Sequence, residues 1–302
     1  MIKYLKHKEI DLIKWDKCIN NAYNELIYSN SWYLDYVSPN WEALVFGEYE
    51  AVMPLTWKKK YGIKYLYPPF FTQQLGVFSK NQLTAKQIQL FLEAIPAKFK
   101  FMDLFLNSKN MLDDSLYSFN RKPNYFLSLN ATFDELSNKY NSNCKRNISK
   151  ATKNGLKIKQ ASASEIIDFY RINYAHIESN SKSEDYLKFE ALVNILKEKG
   201  NAETIGVFQE EIMCGGGIFI KDSNRIYYLL GASNSIGKKY GAVHFFMNWI
   251  IKKYAGSNLI LDFEGSEIES IADFFKQFGS EKEEYIYLKI NKLPPLLKFF
   301  KK

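Results

Sequence analysis

The sequence predicts an α+β protein of two domains, each a central, mainly antiparallel sheet flanked by helices. Three observations support this. The 302 residues suffice for two cores, 46% of them apolar and 16% aromatic. Helix-period segments mix with strand-like ones, including a three-strand meander in the second half. Glycine is lopsided: three of 15 precede residue 150, so tight turns and close backbone approaches gather in the second half. A boundary near residue 130 gives domains 1–130 and 131–302.

In the first domain, residues 1 to about 20 mix short apolar and charged runs without a clear period. Tyr28 to Val37 reads as a short aromatic helix behind a Ser or Asn cap. Trp41–Phe46 and Ala51–Trp57 read as strands around the turn 47–50. Ile63–Tyr67 is a strand that Pro68-Pro69 must end. Phe71 to Phe78 reads as an irregular loop. Thr84 to Ala94 is amphipathic, with Ile88, Leu92 and Ile95 on one face. Phe99–Leu106 and Asn124–Leu129 supply further strands.

The second domain opens on Thr132 and Glu135 at capping-box spacing, predicting a helix that runs to the stop at Asn154-Gly155. Leu156–Gln160 alternates as a strand. Helices follow from a Ser164 cap through His176, and from Tyr186 to Lys199 before Gly200. The meander is Glu203–Phe208, Ile212–Ile220 and Arg225–Leu230. Gly237–Gly241 forms a glycine turn into the helix Ala242–Tyr254. Leu259–Phe263 is a buried strand, Ile268–Phe278 a helix closed by Gly279, and Tyr285–Ile290 the last strand.

Composition narrows the function classes. No stretch approaches the roughly 20 apolar residues of a membrane span, and the first residues lack the apolar core of a signal peptide, so the expected address is cytoplasmic. Cys18, Cys144 and Cys214 are too few and too scattered for a disulfide framework or a zinc site, and no metal set is expected. His176 and His244 have no nucleophile motif around them. The net charge of +8 fits either surplus surface lysines or an anionic partner.

Four stretches carry a resemblance: Asn143–Ala151 with Gly155-Leu156; Gly215-Gly216-Gly217; Gly237–Ala242 opening a helix; and Asp262–Ser266 followed by Phe274 and Phe278-Gly279. Taken in order, they are similar to the GNAT acyltransferases, and more closely to the Fem-like branch, which joins two GNAT-like domains in tandem. The match is good over residues 130–290 and general elsewhere. The resemblance implies transfer of an acyl or aminoacyl group to an amine without a covalent enzyme intermediate. Fem-type members use aminoacyl-tRNA and extend the peptide of cell-wall precursors; others of this architecture use acyl-CoA. The donor is therefore a phosphate-bearing substrate, and no tightly bound cofactor is expected. The sequence departs from the GNAT pyrophosphate loop, because Gly237 and Gly241 stand four apart with Lys238 and Lys239 between them.

The candidate site residues lie mostly in the second half. Between Glu135 and Glu165 there are seven positive residues and no acid. At helical spacing Leu136, Tyr140, Cys144, Ile148 and Ala151 share one face, opposite Lys139, Asn143, Arg146, Lys150 and Lys153. That basic face would dock phosphates, with Arg146 as the best clamp; a solvated lysine face is the plainer alternative. The turn Ser235 to Ala242, with Gly237, Lys238, Lys239, Gly241 and Ala242 and with Ser233 just before it, combines free N–H groups at a helix start with full charges, which favours a phosphate over a plain glycine loop. Tyr228 to Ser233 corresponds, by the GNAT resemblance, to the strand end that splays from its neighbour and points its backbone donors at the carbonyl under attack; Gly231 suits a bulge or splay there, or merely ends the strand. Asp262 and Glu264 lie two apart and in a continuous strand would share a side, where either could take the proton of an attacking ammonium; the alternative is that Asp262 braces the fold. Tyr65 to Phe78 is a candidate lining for the acceptor cleft, and the apolar, basic tail 293–302 a candidate for peripheral membrane contact. Two rival readings are an acyl-CoA-dependent N-acyltransferase acting on a sugar or small amine, and a non-catalytic GNAT scaffold binding RNA or an anionic surface.

Overall fold

The computed structural model describes residues 1–174 and 182–294. Two compact units divide the chain: Met1–Lys122 with the chain from Glu284 onward, and Pro123–Glu283. The division therefore falls eight residues earlier than the boundary drawn at 130, and the last strand returns to the first unit.

The first unit carries β1 (Ile2–Leu5), α1 (Leu12–Asn20), α2 (Ser31–Val37), β2 (Glu42–Phe46), β3 (Ala51–Leu55), β4 (Trp57–Lys60), β5 (Ile63–Leu66), β6 (Phe78–Ser79), α3 (Ala85–Glu93) and β7 (Phe99–Leu106). Strand β8 (Phe119–Ser128) leads into the second unit. There follow α4 (Phe133–Asn138), α5 (Ser142–Lys153), β9 (Lys157–Gln160), α6 (Ala163–Tyr174), α7 (Ser183–Glu198), β10 (Ala202–Gln209), β11 (Ile212–Lys221), β12 (Arg225–Ser233), α8 (Ser235–Tyr240), α9 (Ala242–Tyr254), β13 (Ile260–Asp262) and α10 (Glu269–Lys276). Strand β14 (Glu281–Asn291) returns to the first unit. The α+β architecture expected from the sequence is the one found.

In the first unit, β1, β2, β3 and β6 form an antiparallel sheet in that order. β4, β5, β7 and β14 run side by side, with β5 and β7 parallel. Leu44, Met53, Phe99, Met102 and Ile286 build the core beneath Ile88, Phe91 and Leu92 of α3. Both β1 and α1 lie in the stretch whose sequence showed no period; Asp11 starts α1 by accepting from the N–H groups of Ile13 and Lys14. The loop after Pro69 is tied down by three asparagines: Asn24, Asn107 and Asn110 all donate to the Val77 carbonyl, at 2.8, 3.3 and 2.9 Å. Leu75 and Val77 are buried, so this loop packs into the unit's own core.

In the second unit the strand order is β8-β13-β12-β11-β10-β9, antiparallel except for β12 and β13. Phe219, Phe246, Ile250, Leu261, Phe263, Phe275 and Phe278 are buried in one cluster with Leu136, Tyr140, Cys144 and Ala151. Helices α6 and α7 pack on β10, β11 and β12. The capping box forms: Thr132 Oγ1 accepts from the Glu135 N–H, and Glu135 Oε2 accepts from the Thr132 N–H at 2.9 Å. The single helix expected over 132–154 is two. The Asn141 N–H donates to the Gln277 carbonyl at 3.0 Å, and Asn141 Oδ1 caps a new helix through the Cys144 N–H at 2.8 Å. The next helix is capped by Ser162 rather than Ser164, again in a box with Glu165.

Candidate functional site

The candidate site residues gather around the point where two parallel strands separate. Arg225, Ile226 and Tyr227 of β12 pair with Ile260, Leu261 and Asp262 of β13, and the ladder ends there. β12 continues to Ser233 with no further partner from β13. The cause is the path of the chain beyond Asp262. The Phe263 N–H donates to the Tyr125 carbonyl at 2.9 Å, so the chain stays with β8. It then turns sharply: Glu264 and Gly265 both adopt left-handed backbone, φ 65° and 58°. A Cβ on Gly265 would lie 2.3 Å from the Pro123 carbonyl oxygen, so only glycine lets this turn press against β8. The expected parting of the sheet is present, but the continuous strand through Asp262 and Glu264 is not. The two carboxylates are therefore not an in-register pair.

Asp262 is the floor of the opening. Its Oδ2 lies 2.6 Å from Arg225 Nη1, and its Oδ1 accepts from the Glu264 N–H at 3.0 Å. The same guanidinium nitrogen reaches Glu283 Oε1 at 3.3 Å, which Asn124 Nδ2 also approaches at 3.1 Å. Burial pushes the Asp262 carboxyl up, and the Arg225 cation pulls it back toward the charged form. With its oxygens so engaged and its side chain buried, Asp262 braces the strands and fixes the Glu264 backbone. Tyr227 adds to the brace, donating to Asp222 Oδ2 at 2.7 Å.

Glu264 is different. It is half-buried, and burial drives its carboxyl well above the usual carboxylate range. A glutamate in left-handed backbone is uncommon, and strain of this kind gathers at functional sites. Tyr228 begins the free run of β12. Its ring stacks on Phe219, centroids 5.1 Å apart, and its hydroxyl lies where a Cβ of Gly231 would be, 1.6 Å away. Burial, with Tyr174 adding to it, holds the Tyr228 phenol above its ordinary pKa, so it is a neutral donor at any physiological pH. The bulge expected at Gly231 sits earlier: the β11–β12 register shifts between Leu230 and Tyr228, while Gly231 pairs with Gly217. Ser233 is buried at the strand end, its carbonyl accepting from the Tyr174 hydroxyl at 3.4 Å.

The glycine turn is largely helical. Asn234 caps α8, its Oδ1 taking the Gly237 N–H at 2.9 Å. Gly237 is buried, and a Cβ there would sit 1.9 Å from the Cys214 carbonyl oxygen. Gly241, at φ 78°, ends α8 and starts α9, with a would-be Cβ 2.8 Å from the Asn147 carbonyl oxygen of α5. Ala242 is fully buried behind it. These glycines thus serve close packing, whereas Lys238 and Lys239 are exposed. Lys238 Nζ lies over the Tyr174 ring at 5.2 Å and Lys239 Nζ over Tyr240 at 5.0 Å.

The packing of α5 against Gly241 brings the basic helix to the glycine turn, a proximity no sequence spacing revealed. Arg146 and Lys150 are exposed on it, flanking Asn147. Arg146 Nη2 donates to Asn143 Oδ1 at 2.5 Å, and Asn143 Nδ2 in turn donates to Gln277 Oε1 at 2.8 Å. His244 Nε2 joins that oxygen at 3.0 Å and packs edge-on against Phe274; burial lowers its pKa. His176 and the tail beyond Pro294 lie outside the described residues. All three cysteines are buried, and burial raises the Cys18 thiol to about 11 and the Cys144 thiol to about 12. Among the described residues no cluster of His, Cys, Asp or Glu could hold a metal, and no helix is long and apolar enough to cross a membrane.

Sequence reasoning overlooked Arg225, Tyr174 and Asn234. The signal for Arg225 was a lone cation opening a strand of apolar and aromatic residues. Tyr174 and Asn234 carried none.

No family model and no curated protein matches the sequence. Solved structures match its fold. The chain is similar to FemX, with a TM-score of 0.69 at 14% identity, over 98% of this chain and 100% of that one. It is similar to a conserved protein of unknown function from Bacteroides thetaiotaomicron, with a TM-score of 0.60 at 12% identity, covering 95% and 100%. It is also similar to L-PGS from Bacillus licheniformis, with a TM-score of 0.54 at 12% identity, covering 88% of each chain. The fold is Fem-like, as the sequence led one to expect.

Proposed function

We propose that the protein is an aminoacyl- or acyltransferase that acts on an amine by direct attack, with the reacting carbonyl held where β12 parts from β13. One observation carries this: the ladder stops at Tyr227–Asp262 and leaves Tyr228–Ser233 without β13 as a partner. Backbone donors along that run suit the oxyanion of a tetrahedral intermediate. Glu264, in its ionised form and made a stronger base by burial, takes a proton of the attacking ammonium. The new N–C bond forms and the ester C–O bond breaks; one proton of the ammonium is released to water, and the other passes through Glu264 to the departing oxygen. Tyr228, held neutral, donates a hydrogen bond to that oxygen.

The preferred donor is an aminoacyl-tRNA, and the preferred acceptor the amine of a cell-wall precursor, in keeping with the Fem-like fold. Against an ordinary acyl-CoA stands the segment where a GNAT pyrophosphate loop would be. Here the Gly237 N–H is taken by Asn234 and the Lys238 N–H by the Asn234 carbonyl. Charge for a phosphate backbone comes from Arg146, Lys150, Lys238 and Lys239 around Gly241.

The test is amide formation followed by mass spectrometry, with a panel of charged tRNAs and a nucleotide-linked muramyl peptide as acceptor. The acceptor should gain one aminoacyl residue, and Glu264→Gln should lower the rate by about 10²–10⁴-fold. A full rate in Glu264→Gln would remove Glu264 from the chemistry. Product with acyl-CoA alone, together with thermal stabilisation by free CoA, would reject the tRNA donor.

A further inference from the structure

The hairpin of β4 and β5 in the first unit has a composition of its own. Between Glu50 and Glu93 the chain carries six lysines and no acid, and Lys58, Lys59, Lys60 and Lys64 all fall in this hairpin. Its two-residue turn is left-handed at both positions, Tyr61 at φ 50° and Gly62 at φ 80°, the geometry that matches the twist of paired strands. Glycine suits that backbone; tyrosine at the first position does not, yet Tyr61 stands at the apex, 91% exposed. The register sets Lys59 opposite Lys64, a like-charge pair across the ladder that an anion would relieve.

Alternation then decides what kind of anion fits. Lys58 and Lys60 project to one face, Lys59 and Lys64 to the other. Aromatic rings lie beneath these cations: Lys58 Nζ is 4.2 Å from the Tyr67 centroid, and Lys64 Nζ is 3.9 Å from that of Trp57. A nucleic-acid backbone would be met by one face. Cations on both faces behind an exposed apical tyrosine suit a medium that surrounds the hairpin. We propose that the β4–β5 hairpin docks the protein on a bilayer rich in anionic phospholipid, the lysines meeting headgroup phosphates and Tyr61 entering the interface. Tyrosine favours that depth, and anionic leaflets attract clustered lysines. The inference is independent of the transfer chemistry.

Sedimentation of the full-length protein with vesicles tests it. Wild type should pellet with equal parts of phosphatidylglycerol and phosphatidylcholine, and not with phosphatidylcholine alone. At about fivefold per lysine, Lys59→Gln/Lys60→Gln/Lys64→Gln should bind roughly 100-fold more weakly. Lys8→Gln/Lys17→Gln/Lys86→Gln removes the same charge from exposed sites elsewhere in the unit and should bind like wild type. Equal losses in the two triple variants would overturn the proposal. So would binding to poly(U) without binding to vesicles. Tyr61→Trp keeps every lysine: its emission should shift to the blue on anionic vesicles, and an unchanged spectrum would equally overturn it.

Discussion

Removing Arg225 is the sharpest test of how the opening is held. Its Nη1 lies 2.6 Å from Asp262 and 3.3 Å from Glu283, and the two acidic side chains are only 2% and 13% exposed. Arg225→Met would leave both carboxylates in the interior without their cation. Breaking a buried pair from one side costs about 3–5 kcal/mol. Against a typical total of about 5–15 kcal/mol, that is a fifth or more of the stability. For a unit of this size the melting point should fall by roughly 6–20 °C. Circular dichroism during heating and urea titration measures it. The pH dependence has a definite sign. Burial already raises the Asp262 carboxyl, and without the guanidinium it rises further. The folded variant then holds a proton that the unfolded chain releases, so its stability falls as pH rises through that raised value. The deficit against wild type should be smallest near pH 5 and largest near pH 8. Arg225→Met/Asp262→Asn should recover part of the loss, because the charge on Asp262 is gone and only Glu283 is left without its cation. A loss below about 1 kcal/mol, the value of an exposed pair, or no recovery in the double variant, would refute the brace.

The same geometry sets three other outcomes. Glu264→Gln should raise the melting point at pH 8 relative to wild type and change little below about pH 4, because above that pH the unfolded chain releases a proton that the folded one keeps, and stability falls as pH rises through the raised value; differential scanning fluorimetry across pH checks this. Gly237→Ala must displace the Cys214 carbonyl 1.9 Å away, so it should destabilise by about 1–3 kcal/mol in urea titration, whereas Lys239→Ala on the same helix should not. Lys238→Gln/Lys239→Gln should raise KM for a tRNA donor with little effect on kcat, and should flatten the salt dependence of that KM by a slope of about 1–2. An unchanged salt slope would mean that these lysines do not meet the donor.

The candidate site was legible in pieces. The parting of the sheet was expected from the resemblance to GNAT folds, not from Gly231, which pairs regularly with Gly217; its cause, the Phe263 bond to Tyr125 and the turn at Glu264-Gly265, is long-range. Asp262 and Glu264 looked equivalent at a spacing of two. Only the end of β13 between them separates a buried brace from a half-buried, protonatable group. The glycines of 237–241 suggested an open cradle, because a sequence does not tell room for a ligand from room for a neighbouring carbonyl.

The sequence by itself determined much of the local order: most helices and strands beyond residue 40, the box at Thr132, the apolar face shared by Leu136, Tyr140, Cys144 and Ala151, and the start of α9 at Ala242. These follow from side-chain period, cap chemistry and backbone sterics, which act over a few residues. Tertiary structure decided the break at Asn141, the charge state favoured by Glu264, the partner of Asp262, and the meeting of α5 with Gly241. Each depends on desolvation or contact between segments far apart in the chain, and those forces exist only once the unit has closed around them.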